Sequence, residues 1–438
     1  MRPARRLLLT ALLLVPAALP AEVWTLDRAV ATALERNPDA RAARARVDGA
    51  QALVQQAQAA WQPQLALSGR YTDTNSPMMA FGSILNQRAF NFGLDFNHPG
   101  RVDNLNATGT VAYNLYAGGR PSAGRAAAQA GAEAAALDLG AAHHRLIAEV
   151  VRAALTLHQA REAVTAVAGG VSAYEAAVTA ARARFEAGQL LKADLLSLEV
   201  QLAQTRGALS SARHGAALAA RAFQFILGLE ATGEPVELLA SDPALARLSA
   251  PDLGDCSQRP ELRGLQARVR AAEAMVTAAR GGHRPTVNAF ASYQYDQGAK
   301  TDRHGDSWLA GLSVDLNVFD GGQTAGKIRQ SSAELAEVRE MLRKATLGID
   351  LEVEQARLAH LDAVERLAVS ARAVEQAAES AALSRARFEK EALLIADLIG
   401  AESRLLEARL RRTAAAADER LALVELRRAL GLTPLPPA

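Results

Sequence analysis

The sequence predicts a mainly α-helical fold with membrane β-structure: long coiled-coil helical hairpins plus four membrane-crossing strands per chain. Three observations predict it. The chain is one unit written twice; the hydrophobic period switches between helical and two-residue spacing at matching places in both copies; and after the N-terminus no stretch offers about 18 uncharged apolar residues in a row, so any insertion into a bilayer must use strands.

The chain opens with a predicted signal peptide over residues 1–21. Arg2, Arg5 and Arg6 precede an apolar run from Leu7 to Leu19, with a signal-peptidase site after Ala21. That run is too short to span a bilayer as a helix. No cysteine stands at the cleavage site, which predicts no N-terminal lipid anchor. Cys256 is the one cysteine of the chain, so an intrachain disulfide is excluded. The expected mature protein is exported.

The first structural repeat is expected over 22–229 and the second over 259–438, with a linker rich in Pro, Gly, Asp and Ser at 230–258. Pro38, Pro63 and Tyr71 recur as Pro260, Pro285 and Tyr293 at a constant offset of 222. Farther on, YNLYAGG (Tyr113 to Gly119) matches LNVFDGG (Leu316 to Gly322). ARFEAGQLLKADLL matches ARFEKEALLIADLI, and Leu-Gly-Leu at 227–229 matches 430–432, now at an offset of 203. The first copy therefore carries a 19-residue insertion between Tyr71 and Tyr113. This insert reads as an extracellular loop in which Met78, Met79 and Phe81 pack internally.

Within each copy, a helix at 26–60 or 260–282 comes first. Strands follow. Residues 64–72 alternate, with Leu65, Leu67, Gly69 and Tyr71 on one face, and 105–116 set Leu105, Ala107, Val111, Tyr113 and Leu115 against Asn106, Thr108, Thr110 and Asn114. The second copy repeats this with Val287 to Tyr295 and with Ala310 to Val318. Each segment has about the 9–11 residues that cross an outer membrane as a strand. Pro63 and Pro285 stand where a helix must become a strand, and Gly118-Gly119 and Gly321-Gly322 where a strand turns back into a helix. Proline ends helices and glycine permits sharp turns, so these six residues are the expected hinges.

After Pro121 as far as Ala187, and from Thr324 to Lys390, no proline occurs and helix formers dominate. Each stretch is long enough for a helix of about 100 Å. In the second, Ile328, Leu335, Leu342, Ile349, Ala356, Ala363, Ser370, Ala377 and Ser384 fall at seven-residue spacing, a left-handed coiled-coil seam. Shorter return helices are expected near 190–229 and 393–432, with hairpin tips near Gly188 and Glu391.

Composition fits this architecture. Aromatic residues are only 4% and alanine is abundant, which suits closely packed long helices. The net charge of +2 is spread without a basic stripe, so no nucleic-acid partner is expected. No cofactor or metal site is expected either. GGQTAGKI at 321–328 has phosphate-loop spacing, but Ile328 stands where Ser or Thr would meet magnesium, and the first-copy GGRPSAGR lacks the lysine. His143 and His144 are adjacent on a helix, about 100° apart, and do not form an i, i+4 chelate. No nucleophile elbow or His-Glu-x-x-His motif points to an enzyme.

The order of these elements, with the phrases TLDRAVATALERNPD, WQPQLALSGRY, NLYAGG and ARFEAGQ, resembles the TolC-type outer-membrane efflux proteins across essentially the whole mature chain. The resemblance implies a homotrimer in which twelve strands close a barrel in outer-membrane lipid and twelve helices continue it as a periplasmic tunnel. It implies the exit duct of a tripartite efflux system, with a periplasmic adaptor (membrane fusion) protein and an inner-membrane transporter as partners. The residues alone require some oligomer, because four strands cannot close a barrel and open edges cannot face lipid. A strand of about 35 Å and a helix of about 100 Å give a duct near 135 Å.

In such proteins the tunnel closes at its periplasmic end through acidic residues and a tyrosine–arginine network. Carried over by position, Asp397 falls on the first constriction aspartate, whereas Gly400 stands at the second. Phe388 replaces the network tyrosine and Leu393 the arginine, so the polar latch is absent or differently built. Arg184, Phe185, Gly188 and Asp194 match the hairpin pattern on which adaptors dock. An Asp a few residues into a helix also stabilises the helix dipole, and an Arg in the last turn does the converse. Two further readings share these features: the exit duct of type I protein secretion, and a soluble periplasmic coiled-coil scaffold, against which the paired strands argue.

Overall fold

The structure, a computed structural model, describes residues 23–230, 236–239, 242–252, 254, 256–390 and 392–436. The predicted signal peptide and Glu391 lie outside the described residues. In chain order the elements are β1 (Val23–Trp24), α1 (Leu26–Arg36), α2 (Pro38–Ala59), β2 (Gln64–Thr74), α3 (Pro77–Asn86), β3 (Val102–Ala117), α4 (Arg120–Glu186) and α5 (Lys192–Ile226). They continue with β4 (Glu237–Leu238), α6 (Pro243–Ala246), α7 (Pro260–Arg280), β5 (Thr286–Gly298), β6 (Arg303–Asp315), α8 (Gln323–Glu389) and α9 (Ile395–Ala429). The chain divides into two compact units, one of residues 1–40, 144–253 and 354–438, the other of 41–143 and 254–353.

The second of these units holds a four-stranded antiparallel sheet of order β2-β3-β5-β6. The register aligns Leu67, Gly109, Tyr293 and Trp308 in one row across the sheet, and Leu65, Val111, Ala291 and Ala310 in the next row on the same face. This apolar face is bare: Leu67 is 82% and Trp308 76% exposed. The opposite face carries rows such as Thr110–Ser292 and Asn114–Asn288, the last joined side chain to side chain at 3.1 Å. Strands β2 and β6 are the two edges, each paired on one side only.

The fourth strand differs from its expected span, running over 303–315 instead of 310–318. Thr286 pairs with Asp315, and the next partner along β5 would be Pro285, which has no N–H to donate. Leu316, Val318 and Phe319 are left as an exposed connection. In β3 the ladder skips Leu115 between Asn114 and Tyr116, a bulge that bends the strand toward its corner.

Other helices of this unit are joined by ion pairs, Arg270 to Glu133, Arg339 to Glu273, and Arg268 to Asp138. Among the described helices α4 alone is long and apolar enough by length and composition to cross a bilayer. Its Glu133 and Asp138 are committed to arginines of α7, which is the habit of a helix in water.

The first unit is built on a core of Trp24, Leu26, Val150, Val151, Leu157, Phe223, Leu227 and Val424. Trp24 meets Phe223 edge-on at 6.4 Å. Described residues of the 230–258 segment, expected as a linker or equatorial segment, join this core. Strand β4 pairs in parallel with β1, Val236, Ala244 and Leu248 are buried, and Asp242 accepts from the Leu26 amide at 2.6 Å.

The helix expected over 26–60 is two helices, because the residue before a proline is driven out of the α region and Asn37 is extended. Asn37 turns this break into a joint. Its Oδ1 accepts from the Asp39 amide at 2.8 Å and its Nδ2 donates to the Ile226 carbonyl at 2.9 Å, tying α2 to the end of α5. Gly228, at φ +69°, lets that end approach Arg36 so closely that a Cβ would overlap the Arg36 carbonyl.

All nine residues of the expected seam on α8 are buried or half-buried. A companion stripe follows three residues behind each as far as Glu352 (Ser331, Val338, Ala345), then four residues behind from His360 onward (Leu367, Val374, Ala381, Phe388). A straight helix drifts about 20° per heptad, so one long helix presents a rotated stripe to the packing of each unit.

Candidate functional site at the hairpin tips

Both hairpins turn the same way. Helix α4 ends at Gly188, whose φ of +76° closes the turn, with the Gln189 amide donating to the Arg184 carbonyl at 2.9 Å. Helix α8 ends with the Ala392 amide on the Arg387 carbonyl at 2.9 Å. Each return helix starts from an extended leucine, Leu191 or Leu394, and carries its aspartate in the first turn. Each hairpin also has an ion pair at the same repeat positions: Arg182 to Glu199 at 2.7 Å, and Arg385 to Glu402. Glu402 is buried and holds the Arg385 guanidinium above its ordinary pKa.

The structure brings residues of the two hairpins together around Phe388. Sequence position had set this residue at a constriction, but its ring is 3% exposed, inside a core with Val178, Leu195, Leu198, Ile395 and Leu398. Arg184, expected to dock an adaptor, lies over the Phe388 ring at 4.7 Å and donates to the Glu389 carbonyl at 3.0 Å. A guanidinium on an aromatic face and on the last carbonyls of a helix satisfies both the ring quadrupole and the helix dipole. The two hairpins are thus latched by Arg184, Phe388 and Glu389.

Phe185, the first-copy counterpart of Phe388, points outward at 38% exposure. Gly188 is exposed, Asp194 half-buried and Asp397 exposed, and the Asp397 side chain bonds no described residue. Higher up, Tyr174 reaches from α4 to α9, where its hydroxyl donates to the Ile399 carbonyl at 3.2 Å and lies 3.0 Å from the Ser403 hydroxyl. Burial pushes its phenol pKa up.

The six corner residues divide into two kinds. Pro63 and Pro285 each follow a helix end and immediately precede a strand, as expected. Gly118, Gly119, Gly321 and Gly322 all have φ between +65° and +88°. A Cβ on Gly118 would overlap the Gly281 carbonyl, whereas nothing lies within 4 Å of one on Gly321. Alanine at Gly321 should therefore cost only the left-handed backbone, about 1–2 kcal/mol. At Gly118 it should add an overpacking term of about 1–3 kcal/mol. Thermal unfolding of the two variants in detergent checks this, and equal midpoints would mean that the Gly118–Gly281 approach relaxes freely.

Sequence reasoning missed Asp320, the second-copy counterpart of Ala117. It accepts from the Gly322 amide at 3.0 Å and the Thr324 amide at 2.8 Å, capping α8, and hydrogen bonds from Thr324 hold its carboxyl below the ordinary carboxylate range. It also missed the Arg182–Glu199 and Arg385–Glu402 pairs, for which the signal was present: both recur at the repeat offset of 203.

The family described as outer membrane efflux protein matches residues 29–229 and 256–432, nearly all of both repeats. The chain belongs to the outer membrane efflux protein family. Its members are transport conduits, so the chain is an efflux channel of the outer membrane with its helices in the periplasm, and the TolC-type resemblance holds. Protein CyaE of Bordetella pertussis is 29% identical over 426 residues, covering 93% of this chain and 84% of that protein. Outer membrane efflux protein BepC of Brucella suis biovar 1 is 27% identical over 196 residues, 44% of this chain and 42% of that protein.

Solved structures share the fold. CusC superposes with a TM-score of 0.79 at 17% identity, over 93% of this chain and 92% of that one. The outer-membrane channel OprN gives 0.79 at 21%, over 94% and 91%. VceC of Vibrio cholerae gives 0.77 at 20%, over 93% and 96%.

Proposed function

We propose that three copies of this chain form the exit duct of a tripartite efflux system, a passive conduit opened by an inner-membrane transporter acting through a periplasmic adaptor. The observation that carries this reading is the open sheet, with one bare apolar face, one largely polar face and unpaired edges at β2 and β6. Such edges cannot stand in lipid, so they must pair with other copies. The TolC-type resemblance supplies the number three, and twelve strands fall within the known range of membrane barrels. The apolar face then meets lipid and the polar face lines the lumen.

At the tips, Asp397 is the constriction residue of this reading, because three exposed carboxylates in a ring attract cations and repel anions. Phe388 acts from within, as the ring on which Arg184 latches the hairpins. Phe185, Gly188 and Asp194 form the adaptor-docking face.

Light scattering on the detergent-purified protein is expected to return about three chain masses, as twelve strands require. The trimer in a planar bilayer is expected to conduct and to be blocked by multivalent cations, and Asp397→Ala to weaken that block. A monomer that stays soluble without detergent would overturn the duct, and unchanged block would move the constriction away from Asp397.

A further inference from the structure

The first-copy insert is not a loose loop. It leaves edge strand β2, forms α3 and reaches as far as the opposite edge strand β6, so that it crosses the end of the sheet remote from the helices. Two glycines fix the face it covers. Gly298 and Gly305 lie on the same face as Asp296, the polar one; a Cβ on Gly305 would overlap the Asn86 carbonyl, and one on Gly298 the Gln87 side chain.

Gln87 anchors the crossing with its whole amide. It is fully buried, donates to the Asp103 carbonyl at 2.7 Å and to Asn104 Oδ1 at 2.9 Å, and accepts from the Thr301 hydroxyl at 2.6 Å. Asn104 in turn donates to Asp296 at 2.6 Å, and the Asp103 carboxylate accepts from the Ala299 and Lys300 amides of the β5–β6 turn. A buried amide with every donor and acceptor used is costly to displace, so the insert is fixed on the sheet.

Apolar side chains of the insert are left uncovered. Ala80 and Ile84 face Val102 and are buried, whereas Phe92 is 96% and Met78 81% exposed. Phe92 meets Phe90 edge-on at 5.4 Å, and Phe90 belongs to a cluster with Phe81 and Phe96. A bare aromatic patch of this kind on a secreted protein marks a contact surface.

We infer that this patch meets its counterparts from the other two copies and closes the extracellular mouth of the duct. The inference rests on the trimeric barrel proposed above, and the size of that barrel decides it. Twelve strands spaced about 4.8 Å apart and tilted about 40° give a backbone radius of about 12 Å. Three helices in mutual contact, about 8–10 Å apart, have their axes about 5–6 Å from a common centre, so three inserts on the inner side of a wall of that radius fill the mouth. Three inserts on the polar face have no room to pass one another, and each exposes an aromatic cluster. Phe90, Phe92 and Phe96 form the seal, and Gln87 holds each third of it in place.

The test uses the full chain with Cys256→Ser, in which Phe92→Cys is the only thiol. Purified trimers treated with a mild oxidant should give a disulfide-linked dimer whose yield does not change on dilution, because the partner lies within the same trimer. Independently, the triple variant Phe90→Ala, Phe92→Ala, Phe96→Ala should speed block by a multivalent cation added from the extracellular side several-fold, with block from the periplasmic side unchanged. Trimers that conduct but neither cross-link nor change their block overturn the seal and leave the duct standing. A protein that never forms trimers overturns both.

Discussion

Val111→Arg is expected to abolish stable insertion of the channel, while Thr110→Arg, one residue earlier on the same strand, leaves insertion intact. Val111 sits in an interior strand, in the row with Leu65, Ala291 and Ala310 near the middle of the apolar face. An arginine at the bilayer midplane of a membrane barrel costs about 2–4 kcal/mol per chain. The trimer proposed above would multiply that cost, since it would carry three such charges. Thr110 pairs with Ala66 and Ser292 on the other face, the one that lines the lumen in the barrel proposed above. There the arginine stays in water, and its effect should be a shift of ion selectivity toward anions. Vesicle insertion monitored by protease protection separates the two variants. Equal loss for both would mean that the sheet is not a membrane wall with one dry face.

The second large effect is expected at the tip. Phe388→Ala removes a fully enclosed ring from the core that joins the hairpins, and such truncations cost about 3–5 kcal/mol. The Arg184 guanidinium loses its aromatic platform at the same time. The periplasmic end should loosen, seen as a higher resting conductance and as faster proteolysis near Gly188. Phe185→Ala is the control, since the same residue type at the equivalent repeat position is on the surface. If the two variants leaked equally, the tip would be held by its surface and not by its core.

These two expectations differ in how far the sequence alone could reach them. Alternation along Leu65 to Tyr71 reveals which residues share a strand face, and the heptads of α8 reveal its seam, because both periods follow directly from backbone geometry. Strand ends were less legible: β6 stops at Asp315 only because its partner strand begins after Pro285. The opposite fates of Phe185 and Phe388 were not legible. They occupy equivalent positions in nearly identical phrases, and what separates them is that Phe388 packs against the first hairpin whereas Phe185 is exposed. Nor was the role of Gln87, whose partners lie on β3 and in the β5–β6 turn, more than 200 residues away in the case of Thr301.

Where the first hairpin has Tyr174, Val178 and Leu198, the second has Ala377, Ala381 and Ala401 at the corresponding places. The two hairpins are therefore packed differently, and Tyr174 of the first crosses to α9 of the second. The two halves descend from a single ancestral unit, yet they have become lock and key. A chain assembled from two first halves would be overfilled at its tip, and one assembled from two second halves would be hollow. The two halves are therefore no longer interchangeable, although their sequences still mark them as copies.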